Sequence, residues 1–179
     1  SWIRILVICL WVIPSFGEQN TSLVLLNGTL IDGTGAKPLP DAVVVIERDR
    51  IVAVGTADTV EIPENATRIP LRGMTILPGL INAHVHRGYD GNKLKAWANA
   101  GVTTVRDLAF SDMGVRWFEL RDALLGDPKN ARLVAVGPFI TVAGGYPNQP
   151  WGLEAMTVTS PSDAAKKAEE LLQEGADLL

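Results

Sequence analysis

The sequence predicts an α/β fold in two parts, and three observations lead to this prediction. Residues 22–77 show a period of two in short apolar runs that are separated by Asn-Gly, Asp-Gly-Thr-Gly and Arg-Asp turns, which is typical of hairpins. From Leu80 onward, strand-like runs alternate with helical segments, as in a parallel α/β sheet. The rhythm changes at Pro78-Gly79, which is the predicted domain boundary.

Residues 1–17 are predicted to be a secretory signal peptide and not part of the fold. Arg4 precedes the apolar run 5–13, and small residues precede a cleavage point before Glu18. The run is short for a bilayer span, so a membrane anchor is the weaker alternative. We therefore expect a periplasmic or secreted protein with no stable membrane anchor after cleavage. Cleavage would also remove Cys9, the only cysteine of the chain.

Residues 18–78 are predicted to form a small antiparallel sheet or sandwich. The predicted strands are short and rich in Val, Ile and Leu, at 23–26, 29–31, 42–47, 50–55, 67–71 and 74–77. We interpret Asn27-Gly28 as a tight hairpin turn between the first two.

Residues 79–179 are predicted to alternate between strands and helices. The strands are 80–86, 102–107 and 132–137, and the first two helices are 93–100 and 113–125. A long loop, 138–159, precedes a third helix. That helix has Ser160 as N-cap, Pro161 at its first position, Asp163 in a capping-box position and Gly175 as its stop. Residues 176–179 are predicted to begin a fourth strand.

The two histidines of the chain, His84 and His86, stand at the end of the first strand of this second part. Residues i and i+2 of a strand point to the same face, so the two imidazoles can converge on one metal ion. The alternative is a pair of satisfied or exposed histidines, because two ligands do not close a metal site.

The composition excludes two classes of protein. In the 179 residues, 47% are hydrophobic and 20% are charged, which is enough apolar material for a core and argues against disorder. The net charge is −4 and no Lys/Arg-rich run is present, so nucleic acid is not an expected partner.

Four segments, taken together, resemble the amidohydrolase superfamily, and within it the branch of imidazolonepropionases and prolidase-like dipeptidases. They are Leu-Pro-Gly-Leu-Ile-Asn-Ala-His-Val-His at 77–86, Ala-Gly-Val-Thr-Thr-Val-Arg-Asp at 100–107, Gly-Pro-Phe-Ile-Thr at 137–141 and Glu-Gly-Ala-Asp at 174–177. The resemblance implies a partial TIM (β/α)8 barrel of about three and a half βα units, preceded by an N-terminal β-sandwich segment.

The resemblance also implies a metal centre. His84 and His86 would be ligands of Zn²⁺ or another divalent metal, one or two ions in number. A bridging lysine would follow directly after Leu179, and later histidines and an aspartate would complete the site. We therefore expect an N-terminal fragment of a longer protein that holds no complete catalytic set and is inactive by itself.

Tyr146 stands where many members of the family carry a histidine, in the sequence Gly144-Gly145-Tyr146. Its phenol can hydrogen-bond a substrate carbonyl or carboxylate, which makes it a candidate substrate contact. Packing of the ring over the end of the barrel is the alternative.

The predicted activity is metal-dependent hydrolysis of a C–N bond in a dipeptide-like or cyclic amide substrate. Ester or lactone cleavage at the same metal site is one alternative, and a non-catalytic exported binding module is another. The expected partner is a small-molecule or dipeptide substrate, and a homo-oligomer is left open.

Overall fold

The computed structural model describes residues 22–109, 116–147 and 155–179. It divides into two compact units, which meet in sequence between Pro78 and Gly79. The fold is of the mixed α/β class, as predicted. The segment predicted as a signal peptide lies outside the described residues. Within the three described ranges, no helix is long and apolar enough to cross a membrane.

The described residues of the first unit form a five-stranded sheet. Its strands are β1 (Leu23–Leu30), β2 (Leu39–Glu47), β3 (Arg50–Gly55), β4 (Thr67–Pro70) and β5 (Thr75–Ile76). The order is β3-β2-β1-β4, and β5 also pairs with β1. The predicted antiparallel pairing holds for β1 with β2 and for β2 with β3. It is wrong for β4 and β5, which run parallel to β1.

The predicted hairpin turn at Asn27-Gly28 is also wrong, because β1 continues through both residues. Asn27 has φ of 60°, and the pairing with β2 shifts between Leu26 and Gly28, so the segment is an irregularity within a strand. A Cβ at Gly28 would lie 3.2 Å from Leu71 Cβ, so glycine lets neighbouring chain approach closely. Asn and Gly tolerate the backbone conformations of turns. Here they form a bulge, because the residues before and after them are both paired with neighbouring strands and belong to one strand, β1.

The core of this unit consists of β-branched side chains, as expected for short strands. Val24, Val43, Val45 and Val60 are at most 9% exposed and pack together. Two of them, Val43 and Val45, alternate on β2 and point to one face.

The second unit contains a three-stranded parallel sheet flanked by helices. In chain order its elements are β6 (Leu80–Val85), α1 (Gly91–Asn99), β7 (Val102–Asp107), α2 (Trp117–Leu125), β8 (Arg132–Ala135), β9 (Ile140–Val142), β10 (Met156–Val158) and α3 (Pro161–Glu174). The sheet has the order β6-β7-β8. Leu94 of α1 packs with Val105, Ala131 and Leu133 to form its core.

The ends of α3 follow the predicted signals. Asp163 N donates to the Ser160 hydroxyl at 3.1 Å, and the Asp163 carboxylate accepts from Thr159 N at 2.9 Å. Gly175 ends the helix with φ of 115°, a conformation that side chains rarely adopt.

Two expectations for the second unit need correction. The segment 138–159 was expected to be a loop, but β9 and β10 pair within it in parallel. Residues 176–179 do not form a fourth strand. Asp177 N donates to Ala135 O at 2.8 Å, but the Asp177 carboxylate accepts from Ala135 N at 2.8 Å. The Asp177 side chain therefore accepts the hydrogen bond from Ala135 N that a backbone carbonyl would accept in a strand pair.

Candidate metal centre

The three parallel strands of the second unit end side by side. Val85 of β6 pairs with Asp107 of β7, and Asp107 pairs with Ala135 of β8. Side chains at these ends, and in the loops that follow, therefore share one edge of the sheet. In parallel α/β sheets this carboxyl edge is where ligands bind.

His84 and His86 lie at this edge with their rings side by side. His84 belongs to β6, and His86 is the residue directly after the strand. The ring centroids are 5.3 Å apart with 78° between the ring planes, and both side chains are exposed. The structure thus brings together the two residues that strand alternation pairs in the sequence.

The backbone around the pair constrains it further. His84 N donates to Asn82 Oδ1 at 3.2 Å. His86 Nδ1 lies 3.4 Å from the carbonyl oxygen of Ala109, which can only accept a hydrogen bond. This contact therefore favours the tautomer with hydrogen on Nδ1, which leaves the Nε2 lone pair available to a metal ion.

The two histidines could supply part of the ligand set of a metal ion, but not a complete set. In the part of the chain that the structure describes, no group of three His, Cys, Asp or Glu side chains could hold a metal. A tetrahedral zinc site has four protein ligands, or three protein ligands and a water molecule. The two imidazoles would supply two of them.

Asp107 is a buried carboxylate at the same edge, and it is not one of the site residues predicted from the sequence. The residue is 1% exposed, and its two oxygens accept from Gly88 N at 2.7 Å and Ala109 N at 3.2 Å. Burial raises the pKa of Asp107, while the bonds from the two backbone N–H groups and the nearby His86 act in the opposite direction.

Two aromatic rings belong to the surroundings of His86. The ring of Phe139 lies 6.2 Å from that of His86, and the ring of Tyr146 lies 6.5 Å from that of Phe139. Tyr146 is 60% exposed. Phe139 is therefore a ring neighbour of both His86 and Tyr146.

Asp107 and Phe139 could have been found from the sequence by one further step. Asp107 ends the second predicted parallel strand, and Phe139 follows the end of the third. Since the carboxyl ends of neighbouring parallel strands meet at one edge, both belong with the histidines that end the first.

No protein-family model matches the chain. The chain is 33% identical over 95 residues to the imidazolonepropionase of Micrococcus luteus, a match that covers 47% of this chain and 23% of that protein. It is 36% identical over 88 residues to the 5-methylthioadenosine/S-adenosylhomocysteine deaminase of Symbiobacterium thermophilum, covering 45% of this chain and 20% of that protein. The matched region thus spans about a fifth of these curated relatives.

Solved structures superpose on a larger share of this chain than the curated sequences match. A prolidase complexed with N-methylphosphonate-L-proline superposes with a TM-score of 0.66 at 26% identity, covering 87% of this chain and 45% of that one. A protein described as an amidohydrolase superposes with a TM-score of 0.64 at 25% identity, covering 88% of this chain and 45% of that one. The chain therefore spans less than half of these structures.

Proposed function

We propose, from the premise that this chain belongs to the amidohydrolase superfamily, that the whole protein is a metal-dependent hydrolase of C–N bonds. Its substrate would be a dipeptide-like molecule or a cyclic amide. The named relatives are hydrolases that act on C–N bonds. The observation that carries the proposal is the pair of imidazoles, 5.3 Å apart, at the carboxyl edge of a parallel sheet.

His84 and His86 would bind a divalent cation, Zn²⁺ being the first candidate. The Ala109 carbonyl holds the His86 ring by its Nδ1 side and so presents Nε2. When bound, such an ion would polarise the substrate carbonyl and lower the pKa of a water molecule towards neutrality. The remaining ligands and the general base would come from outside the described residues.

Tyr146 would contact the substrate. A tyrosine hydroxyl can donate to a carbonyl or carboxylate oxygen, and the exposed Tyr146 ring neighbours Phe139, which in turn neighbours His86. The hydroxyl would orient the substrate, and the substitution of phenol for imidazole would set a preference among substrates.

The three parallel strands fit the beginning of a (β/α)8 barrel, with the metal centre at the carboxyl end as in such enzymes. We propose that β6, β7 and β8 are its first three strands. The five-stranded sheet of the first unit would be the N-terminal part of a composite sandwich.

The test is metal analysis and hydrolysis by the whole protein, with His84→Ala and His86→Ala beside the wild type. A panel of dipeptides and cyclic amides serves as substrate. Each variant should lose bound zinc by about tenfold or more and lose hydrolysis, because a ligand is missing. Arg132→Ala, at the exposed opposite end of β8, is the control and should change neither.

Full zinc content and full activity in either histidine variant would contradict the proposal. The 179-residue chain alone should bind Zn²⁺ weakly and show no turnover. Turnover by this chain alone would place the catalytic centre elsewhere.

A further inference from the structure

Asp107 connects the two loops that leave β6 and β7. Its Oδ2 accepts from Gly88 N at 2.7 Å in the first loop, and its Oδ1 accepts from Ala109 N at 3.2 Å in the second. The carboxylate is 1% exposed, so these bonds are shielded from water. A buried carboxylate needs such partners, because leaving it unpaired is costly.

Both bonded segments determine where His86 lies. Gly88 is two residues after His86, and the carbonyl of Ala109 is the group that contacts His86 Nδ1 at 3.4 Å. One carboxylate therefore holds the backbone that carries the imidazole and the backbone that orients its ring. Leu108 N also donates to Val85 O at 3.0 Å, which ties the loop after β7 to the end of β6, one residue before His86.

The backbone at these two points is in conformations that need support. Arg87 has φ of 61° and Ala109 has φ of 149°, and neither is glycine. Such conformations persist where the surroundings hold them, and they are frequent at functional sites. Asp107 binds the N–H group of Ala109 itself and that of Gly88, the residue directly after Arg87.

We propose that Asp107 is a positioning residue for His86, holding its Nε2 towards the metal ion through the backbone of Gly88 and Ala109. The inference rests on the proposed role of His84 and His86 as ligands. Asp107 itself does not coordinate the ion. Its contribution is to keep the imidazole in one place and one tautomer before the ion arrives.

Zn²⁺ affinity of the whole protein, stripped of metal and titrated against a chromophoric chelator, tests this inference. Asp107→Asn keeps the size of the side chain, but its amide nitrogen cannot accept from a backbone N–H group. We expect affinity to fall by about 10- to 100-fold, the range for the loss of an outer partner of a ligand. Asp127→Asn, the same change at an exposed carboxylate, should leave affinity unchanged.

A second readout needs no metal. In the metal-free protein, ¹⁵N spectra of labelled histidine, with the His86 signals assigned by their loss in His86→Ala, report which ring nitrogen carries hydrogen. The wild type should show hydrogen on Nδ1, and Asp107→Asn should shift the population towards Nε2, because the Ala109 carbonyl is no longer held in place.

Gly88→Ala provides a variant that keeps every ionisable group. Its Cβ would lie 3.3 Å from Asp107 Oδ2 and 3.0 Å from Leu133 Cδ1, so the loop must shift slightly. We expect weaker Zn²⁺ binding and the same change of tautomer, and this variant decides the question if Asp107→Asn does not fold.

The outcomes separate the two proposals. Unchanged Zn²⁺ affinity in His86→Ala would overturn the proposed function itself. If His86→Ala weakens binding while Gly88→Ala and any folded Asp107→Asn match the wild type in affinity and tautomer, only the positioning role is overturned.

Discussion

Arg121 donates from Nη1 to Asp177 Oδ2 at 2.9 Å, and the two residues stand 56 positions apart in the chain. Arg121 lies on α2 and is 8% exposed, and the same nitrogen donates to Gly175 O at 2.7 Å. Burial lowers the pKa of Arg121, but its bonds and attraction to Asp122 and Asp177 raise it by more. The pair therefore fastens α2 to the segment after α3 with a charged, hydrogen-bonded contact.

Arg121→Ala should lower the free energy of unfolding of the whole protein by about 1.5–3 kcal/mol, the worth of a hydrogen bond to a charged group, because the Asp177 side chain is 31% exposed and water can solvate part of the charge left behind. The Gly175 carbonyl and the Asp177 carboxylate would each lose a donor. Urea unfolding followed by fluorescence measures the change.

Lys95→Ala is the matched control for that prediction. Lys95 Nζ lies 2.9 Å from Asp127 Oδ2, but the side chains are 44% and 37% exposed. Its loss should cost less than about 1 kcal/mol. Equal losses in the two variants would mean that burial does not distinguish the two ion pairs.

Gly79→Ala should destabilise the protein by about 1–3 kcal/mol through overpacking. A Cβ at Gly79 would lie 2.7 Å from Thr103 Cβ, closer than carbon atoms approach each other. The thermal midpoint of the whole protein reports the effect, and Thr103→Ala added to it should restore only part of the loss because that Cβ remains.

Gly126→Ala is the control for crowding. Its φ is −69°, and its Cβ would lie 3.4 Å from Ala123 O. The change should stay within about 0.5 kcal/mol. A midpoint for Gly79→Ala equal to that of this control would contradict the predicted contact.

Tyr146→Phe should raise the KM for the best substrate of the dipeptide and cyclic amide panel by about tenfold. A hydrogen bond to a charged group is worth about 1.5–3 kcal/mol, and 1.4 kcal/mol is a factor of ten. The ring and its packing against Phe139 would be kept, so the thermal midpoint should not move. An unchanged KM would favour the packing role of Tyr146 instead.

The mature protein is predicted to begin near Glu18 and to occur outside the cytoplasm. Expression of the whole protein in a secreting host, followed by mass spectrometry of its N-terminus, measures this. Ile8→Lys, which interrupts the apolar run, should retain the uncleaved precursor in the cell. Residues 2–16 still present in the exported wild-type protein would contradict the prediction.

Local signals in the sequence were sufficient where one residue's chemistry decides the structure. Ser160, Pro161 and Gly175 predicted both ends of α3, because capping needs only a hydroxyl acceptor, a fixed φ and a residue that tolerates positive φ. The neighbouring positions of His84 and His86 followed from strand alternation in the same way.

Only the tertiary structure decided what depends on residues distant in the chain. Asn27-Gly28 favours a turn by itself, but pairing with β2 on one side and with β4 and β5 on the other keeps it inside β1. The sequence predicts a strand at Asp177, but in the structure its carboxylate accepts hydrogen bonds from Arg121 and from Ala135 at the end of β8. The contacts of Asp107 with Gly88 and Ala109 likewise form only when two parallel strands end side by side. Periodicity and turn preferences depend on residues that are close in the sequence. The partner of a buried charge depends on which distant residues the fold brings next to it.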